Sequence, residues 1–365
     1  MKTFLVQLNH PAHFYLFKNV IENLKKKNNV IIVAKQKDIL FQLLDIYKYD
    51  YYKISNKYRR KNIPSILGGL VERDKQLFHI LKKNKPDLMF GTSPEIGHLT
   101  RLTGIPSIFF GEDDVNLNLS MYMGSIICYP FFSSIISPVG VNNKQWNKKT
   151  IFYSGFQKLA YLHPKVFHPD RSKVHVPRNI RYFIIRFSAL NAYHDKLITG
   201  IDYILLDSII SYLNSFGQIL ITSEKEIPIK YEKYLFKGSI DLMHHYLNYA
   251  DLFIGDSQSM AVEAAVLGVP GIRYNDFVGK ITVLNQLEDQ YKLAFGIKSG
   301  LKQELLNKIK YLVETPRIKE EFMGRKEKML TEKIVVSKFF VWLIENYPES
   351  IKEMQANPEI QYQFK

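Results

Sequence analysis

Apolar residues in this chain follow two alternating rhythms. Short runs that are almost wholly apolar, such as Thr3–Leu8 and Asn29–Ala34, are separated by longer stretches with apolar residues every three or four positions. The first kind reads as buried strands, the second as amphipathic helices. In order, the pattern predicts strand Thr3–Leu8, a helix from about Ala12 to Lys27, strand Asn29–Ala34, helix Asp38–Ile46 and strand Tyr51–Ile54. It continues with helix Ile66–Lys83, strand Asp87–Phe90, helix Pro94–Thr103 and strand Ser107–Phe110. The rhythm then restarts with strand Arg181–Phe187, helix Tyr203–Ser215, strand Gln218–Thr222 and helix Leu242–Tyr249. Strand Leu252–Gly255, helix Ser259–Leu267 and strand Gly271–Tyr274 complete it. Such alternation builds βαβ units on a parallel sheet, so the fold class is α/β with two Rossmann-like halves.

Between the halves, about Gly155 to Arg178, the chain is rich in His, Pro and charge, and the domain boundary falls there. The expected division is 1–155, 156–335 and a C-terminal helix within 336–365. A helical pattern from about Glu332 to Glu345, carrying Trp342, is expected to cross back to the first domain. A length of 365 residues suits two domains.

Composition narrows the setting. The single cysteine, Cys128, excludes an internal disulfide and a cysteine-built metal site, and fits a reducing compartment. The N-terminal run is too short, and too quickly polar, for a signal peptide. No apolar stretch reaches the roughly 20 residues of a membrane span. The longest, around Ser125 to Val139, is broken by Pro130 and Ser133–Ser134. A cytoplasmic protein is expected, with the inner membrane face as a place of peripheral attachment. The net charge of +15 suits phosphorylated substrates or an anionic membrane surface, although the general richness in Lys, Asn, Ile and Tyr accounts for it equally well. Zinc-finger spacing and ribonucleoprotein-type aromatic motifs are lacking, so nucleic acid is not an expected partner.

Ligands of open parallel sheets bind at the carboxyl ends of the strands. After the strand ending at Gly255 comes Asp256-Ser257-Gln258-Ser259-Met260, opening a helix of small residues with Glu263 one turn in. Unpaired N–H groups and the dipole at that helix start suit a diphosphate. Ser257 and Ser259 can add hydroxyl donors, and Glu263 can accept from ribose hydroxyls. Helix capping by Asp256 and Ser257 explains the same residues structurally. Ser223 and Glu224, after the strand Gln218–Thr222, are placed to face base or ribose, and Ser188 is a phosphate donor candidate. In the first half, Asn9–His13 links the first strand to the first helix. An imidazole there titrates near neutrality and could take a hydroxyl proton, and the helix dipole disfavours its cation. Gly111-Glu112-Asp113-Asp114 follows another strand, giving Glu112 and Asp113 as further base candidates. Gly91-Thr92-Ser93-Pro94-Glu95 reads as a helix cap that could touch an acceptor. His244 and His245 lie about 100° apart on a helix, so they do not share a metal, and one is expected at the surface. No Walker loop, nucleophile elbow or zinc-binding His-Glu-x-x-His occurs.

The segment Ala250 to Pro270, with Gly268-Val-Pro270 and Arg273, resembles the nucleotide-binding part of GT-B glycosyltransferases and of the UDP-N-acetylglucosamine 2-epimerases. Its turn departs from the Gly-Gly or Ser-Gly form common there. A second resemblance rests on Asn9–His13, Tyr153-Ser-Gly155 with Ala160-Tyr161-Leu162, Arg186-Phe187-Ser-Ala with Ala192-Tyr-His194-Asp195, and Asp256 to Pro270. Together these are similar to a prokaryotic GT-B-like family of unknown function met among polysaccharide-biosynthesis proteins. The resemblance implies a GT-B fold, two facing Rossmann-like domains, and a nucleotide-sugar as substrate with no cofactor and no catalytic metal. The reaction it implies is sugar transfer to a glycan or lipid-linked acceptor. Nucleotide-sugar epimerisation and non-catalytic nucleotide-sugar binding are the alternatives. Its nucleotide-sugar contacts would be Arg186, Ser188, His194, Ser223, Ser257, Gln258, Ser259, Met260 and Glu263, with His13, Asp113 or Glu112 as the catalytic base. Asp195 stands where the epimerases carry an Arg beside their His, which argues against a plain epimerase.

Overall fold

Each apolar run read as a strand is a strand in the computed structural model. It describes the chain apart from residues 38, 55–62, 94, 113, 115–127, 142–147, 188–199 and 224–225, and apart from the side chains of 63–67 and 70. The first sheet contains β1 (Thr3–Leu8), β2 (Asn29–Lys35), β3 (Tyr52–Ile54), β4 (Leu88–Gly91), β5 (Ser107–Phe110), β6 (Ser134–Pro138) and β7 (Thr150–Tyr153). Its spatial order is β3-β2-β1-β4-β5-β6-β7, parallel throughout. The helices between are α1 (Pro11–Leu24), α2 (Leu40–Ile46), α3 (Ile63–Asn84) and α4 (Glu95–Thr103), with the short α5 (Leu159–Leu162) after β7.

The second sheet contains β8 (Tyr182–Phe187), β9 (Gln218–Ser223), β10 (Leu252–Gly255), β11 (Gly271–Tyr274) and β12 (Phe295–Ile297), in the order β12-β11-β10-β8-β9 and again parallel. Its helices include α6 (Tyr203–Leu213), α7 (Met243–Tyr249), α8 (Gln258–Leu267), the short α9 (Thr282–Asn285), α10 (Lys302–Glu314) and α11 (Ile318–Glu332). The chain closes with α12 (Val336–Glu345) and α13 (Glu349–Ala356). Contacts divide it into two compact units, residues 1–161 with 334–365, and residues 162–333.

Strand alternation builds the first unit's core on both faces of its sheet. Phe109 stacks on Phe132 at 4.7 Å and belongs with Leu77, Leu81, Ile96 and Leu99 of α3 and α4. Its neighbour Phe110 points the other way, 5.2 Å from Phe17 of α1 and 4.5 Å from Phe340 of α12. The returning segment is also tied by backbone, Ile334 N donating to Ser154 O at 2.9 Å. The helix expected from about Glu332 to Glu345 is α12, which starts at Val336 because Lys333–Val335 leave helical geometry after α11. Among the described residues, no helix is long and apolar enough to cross a membrane.

Each sheet reverses its winding once. In the first, β1 has β2 on one side and β4 on the other; in the second, β8 lies between β9 and β10. Successive connections leave such a strand pair in opposite directions and open a crevice at its carboxyl end.

Candidate functional site

In the first unit, the loops after β1 and β4 meet at the reversal point. Pro11 opens α1, and His10 caps it, its Nδ1 accepting from Ala12 N at 3.1 Å. One turn on, His13 Nδ1 accepts from Asn9 N at 3.3 Å. Thr92 Oγ1, after β4, lies 2.7 Å from Nδ1 and 2.9 Å from Nε2 of the same ring. With an N–H aimed at Nδ1, the assigned tautomer carries its proton on Nε2, facing the Thr92 hydroxyl. The Asn9 amide also donates to Ser93 Oγ, joining the two loops a second time. Burial first, then His10 and the cations of Lys158 and Lys37 nearby, push the His13 pKa down to about 3. The near-neutral titration expected of this imidazole is therefore replaced by a ring that stays neutral across the physiological range.

Glu112, after β5, is engaged at both oxygens. Oε1 accepts from Gln157 N at 2.7 Å, and Oε2 pairs with Lys158 Nζ at 2.8 Å. This carboxylate holds Lys158 beside His13 and is not free to act as a base. Glu95, at the start of α4, is buried, and its Oε1 accepts from Arg73 Nε at 2.7 Å. Asp113 lies outside the described residues.

In the second unit, β8, β9 and β10 bring Arg186, Ser223 and the Asp256–Ser257 turn to one end of the sheet. Arg186 is in register with both Gly255 and Thr222, and Phe187 with Ser223. A Cβ on Gly255 would lie 2.8 Å from the Arg186 carbonyl oxygen, so the strand pair requires glycine at this point. Ser257 caps α8, its Oγ accepting from Met260 N at 3.4 Å. The N–H groups of Gln258 and Ser259, in the first turn, have no partner within the helix. Both residues are half-buried, whereas everything from Met260 to Leu267 is buried, with Ala261, Ala264 and Ala265 allowing close packing.

Glu263 is buried as well, and its Oε1 lies 3.3 Å from His244 Nε2 on α7. His245 is half-buried and its Nδ1 accepts from Asp170 N at 2.9 Å, so neither histidine of the pair stands at the open surface. Ser188, His194, Asp195 and Glu224 lie outside the described residues.

A buried network that the sequence does not reveal stiffens the turn after β10. Arg273 is fully buried and donates to Glu288 Oε1 through Nη2 at 2.8 Å and Nε at 3.0 Å. Its Nη1 donates to Asn275 Oδ1 at 3.0 Å, and Asn275 Nδ2 donates to the Asp256 carbonyl at 2.9 Å. Burial raises the Glu288 carboxyl above its ordinary value, and Arg273 opposes the shift. Asn275 and Glu288 carry no motif, and Lys158 follows β7, a strand of only four residues that the apolar rhythm alone does not single out.

No protein-family model matches the chain, and no curated protein matches its sequence. Solved structures do match its fold. A UDP-GlcNAc 2-epimerase from Neisseria meningitidis, bound to UDP-GlcNAc, matches with a TM-score of 0.64 at 15% identity, over 92% of this chain and 100% of that one. The S. aureus MnaA–UDP co-structure matches with a TM-score of 0.71 at 13% identity, over 97% and 98%. The spinosyn rhamnosyltransferase SpnG, complexed with thymidine diphosphate, matches with a TM-score of 0.60 at 10% identity, over 95% and 100%. At these identities the likeness is one of fold: this chain has the two-domain α/β architecture of the GT-B enzymes and 2-epimerases that its sequence resembles.

Proposed function

We propose that this chain binds a nucleotide-sugar, most simply a UDP-sugar, and transfers its sugar to a hydroxyl of a glycan or lipid-linked acceptor. The observation that carries the reading is the start of α8, which lies at the reversal point between β8 and β10 with the N–H groups of Gln258 and Ser259 unpaired within the helix. A diphosphate there gains hydrogen bonds and the helix dipole, and as a leaving group it gains most as its charge develops. The turn is held by Arg273 and Asn275 before any ligand arrives, so little ordering remains to be done on binding. Arg186 and Ser223 add polar contacts, and Glu263 receives the ribose.

In the first unit, His13 is a neutral donor and acceptor for acceptor hydroxyls. A ring titrating at about 3 is a weak proton acceptor, so Asp113 carries the base role. The charge excess draws the protein to phosphorylated substrates and to an anionic membrane face where a lipid-linked acceptor resides. The solved structures bound to UDP-GlcNAc and UDP support the donor class and also motivate a second reading, 2-epimerisation of the nucleotide-sugar without an acceptor.

Calorimetry with UDP and thymidine diphosphate tests donor binding; failure of both to bind would overturn the proposal. Incubation with UDP-N-acetylglucosamine alone separates the two reactions. Epimerised sugar, or UDP released without an acceptor, supports the second reading, whereas transfer that requires an added acceptor supports the first.

A further inference from the structure

The face of the first sheet that carries α3 and α4 changes chemistry near its carboxyl edge. Leu5, Val33 and Met89, on β1, β2 and β4, lie on that face in one apolar cluster with Leu77 of α3 and Leu99 of α4. Strand alternation puts the residues two positions on upon the same face, and these are Gln7, Lys35 and Gly91. Gly91 is in register with Gln7, and a Cβ there would meet the Gln7 carbonyl oxygen at 2.8 Å and the Gln7 Cβ at 3.5 Å, so β4 leaves the space beside that amide open. At the same edge, α3 supplies Arg73 and the start of α4 supplies Glu95, joined Nε to Oε1 at 2.7 Å.

Two oxygens of this pocket have no hydrogen-bond partner among the described residues, Gln7 Oε1 and Glu95 Oε2. Both residues are deeply buried, Gln7 0% and Glu95 2% exposed. The Gln7 amide nitrogen donates to Asn9 Oδ1 at 3.4 Å, and the Asn9 amide donates in turn to Ser93 Oγ, which leaves the Gln7 oxygen as a bare acceptor. A buried acceptor without a donor is costly, so each oxygen marks a place where an O–H or N–H from elsewhere is wanted. Charge is unbalanced in the opposite sense. The charges acting on Lys35 are those of Arg73, Glu95 and Lys37, two cations against one carboxylate that is itself bonded to Arg73. Burial first, then Arg73, holds the Lys35 ammonium below its ordinary value, and Glu95 offsets this only in part. Asn9, Lys35 and Thr92 are half-buried, so the pocket reaches solvent along this edge.

Water would satisfy both oxygens but leave the surplus positive charge. A simple anion would answer Lys35 but bring no proton for the two acceptors. A molecule with neighbouring hydroxyls and a negative group answers all three. We propose that this pocket is a saccharide site for an acidic sugar, whose hydroxyls donate to Gln7 Oε1 and Glu95 Oε2 and whose carboxylate or phosphate pairs with Lys35 Nζ. On the sugar-transfer reading above, it makes the acceptor unit an acidic sugar; the site itself depends on the first unit alone.

Saturation-transfer NMR on the full chain tests it, with methyl glucuronide, glucose 6-phosphate and the neutral methyl glucoside as probes. The native protein should bind at least one acidic probe about tenfold more tightly than the glucoside, and which one does so separates a carboxylated from a phosphorylated sugar. Lys35→Met should abolish that preference and leave glucoside binding within about twofold. Glu95→Gln should weaken every probe by about tenfold, because with Arg73 on its remaining oxygen the new amide presents a donor where a hydroxyl must donate. Gln7→Met, which removes the other acceptor at similar volume, should do the same and serves if the first variant does not fold. Equal binding of acidic and neutral probes by the native protein overturns the proposal, as does a preference that survives Lys35→Met. Sugar affinities unchanged in a folded Glu95→Gln or Gln7→Met protein overturn it too. UDP affinity measured on the same samples keeps this reading apart from the transfer reading. A native protein that binds an acidic sugar but not UDP keeps the site and loses the transfer; one that binds UDP but none of the probes loses the site alone.

Discussion

Glu263 and His244 face each other across the α7–α8 contact, Oε1 to Nε2 at 3.3 Å, with both side chains buried. The carboxylate on the helix that would hold the diphosphate is thus oriented before ligand arrives. Replacing Glu263 with Ala should weaken UDP binding by about 1–3 kcal/mol, the scale of a hydrogen bond to a charged group. Calorimetry checks this. Unchanged affinity in a folded variant would leave Glu263 with a packing role against α7 alone.

The depressed basicity of His13 has a consequence for stability. Its folded pKa is about 3 against an ordinary 6.5, so between those values the unfolded chain binds more protons. The stability this group contributes is present above about pH 6.5 and is lost as pH falls toward 3, by at most about 1.4 kcal/mol per pH unit. Thermal unfolding across that window should show a steeper loss in the native protein than in a His13→Gln variant. Parallel curves would mean that this ring titrates normally.

Lys158 is one of the cations that lower the His13 pKa, after burial and His10. A Lys158→Gln change should raise that pKa without restoring it to 6.5, since burial is the largest cause. A histidine NMR titration reads the shift directly, and an unmoved value would show that Lys158 is electrostatically remote from the ring.

Arg273 answers the charge of Glu288 and supports the turn after β10 through Asn275. Truncating it to Met should destabilise the second unit by about 3–5 kcal/mol, because a buried carboxylate is left uncompensated. The deficit should shrink at low pH, where Glu288 can take a proton. Denaturant unfolding at two pH values measures both effects, and a loss below about 1 kcal/mol would mean that water or another cation replaces the guanidinium.

Much of the candidate site was legible because its residues follow strands. Once Leu252–Gly255 and Thr3–Leu8 are read as parallel strands, the residues after them must lie at a sheet's carboxyl edge, which is how Ser257–Met260 and Asn9–His13 were found. What escaped was long-range. Lys158 and Glu112 are 46 positions apart and meet only because β5 and β7 share a sheet. Gln7, Lys35, Arg73 and Glu95 have no shared spacing at all.

The sequence by itself determined the α/β class, the strands of both repeats it could read, and the return of the chain's end to the first unit, since these depend on local periodicity and on apolar faces that must be covered. It did not determine β6, β7 or β12, whose short or interrupted runs become strands only because a neighbouring edge offers them hydrogen bonds. Nor could it foresee that His13 is held neutral, that Glu112 is taken up by Lys158, or that Arg273 is buried against Glu288. Protonation state and ion pairing depend on burial and on which charges lie within a few ångströms, and those distances exist only in the folded chain.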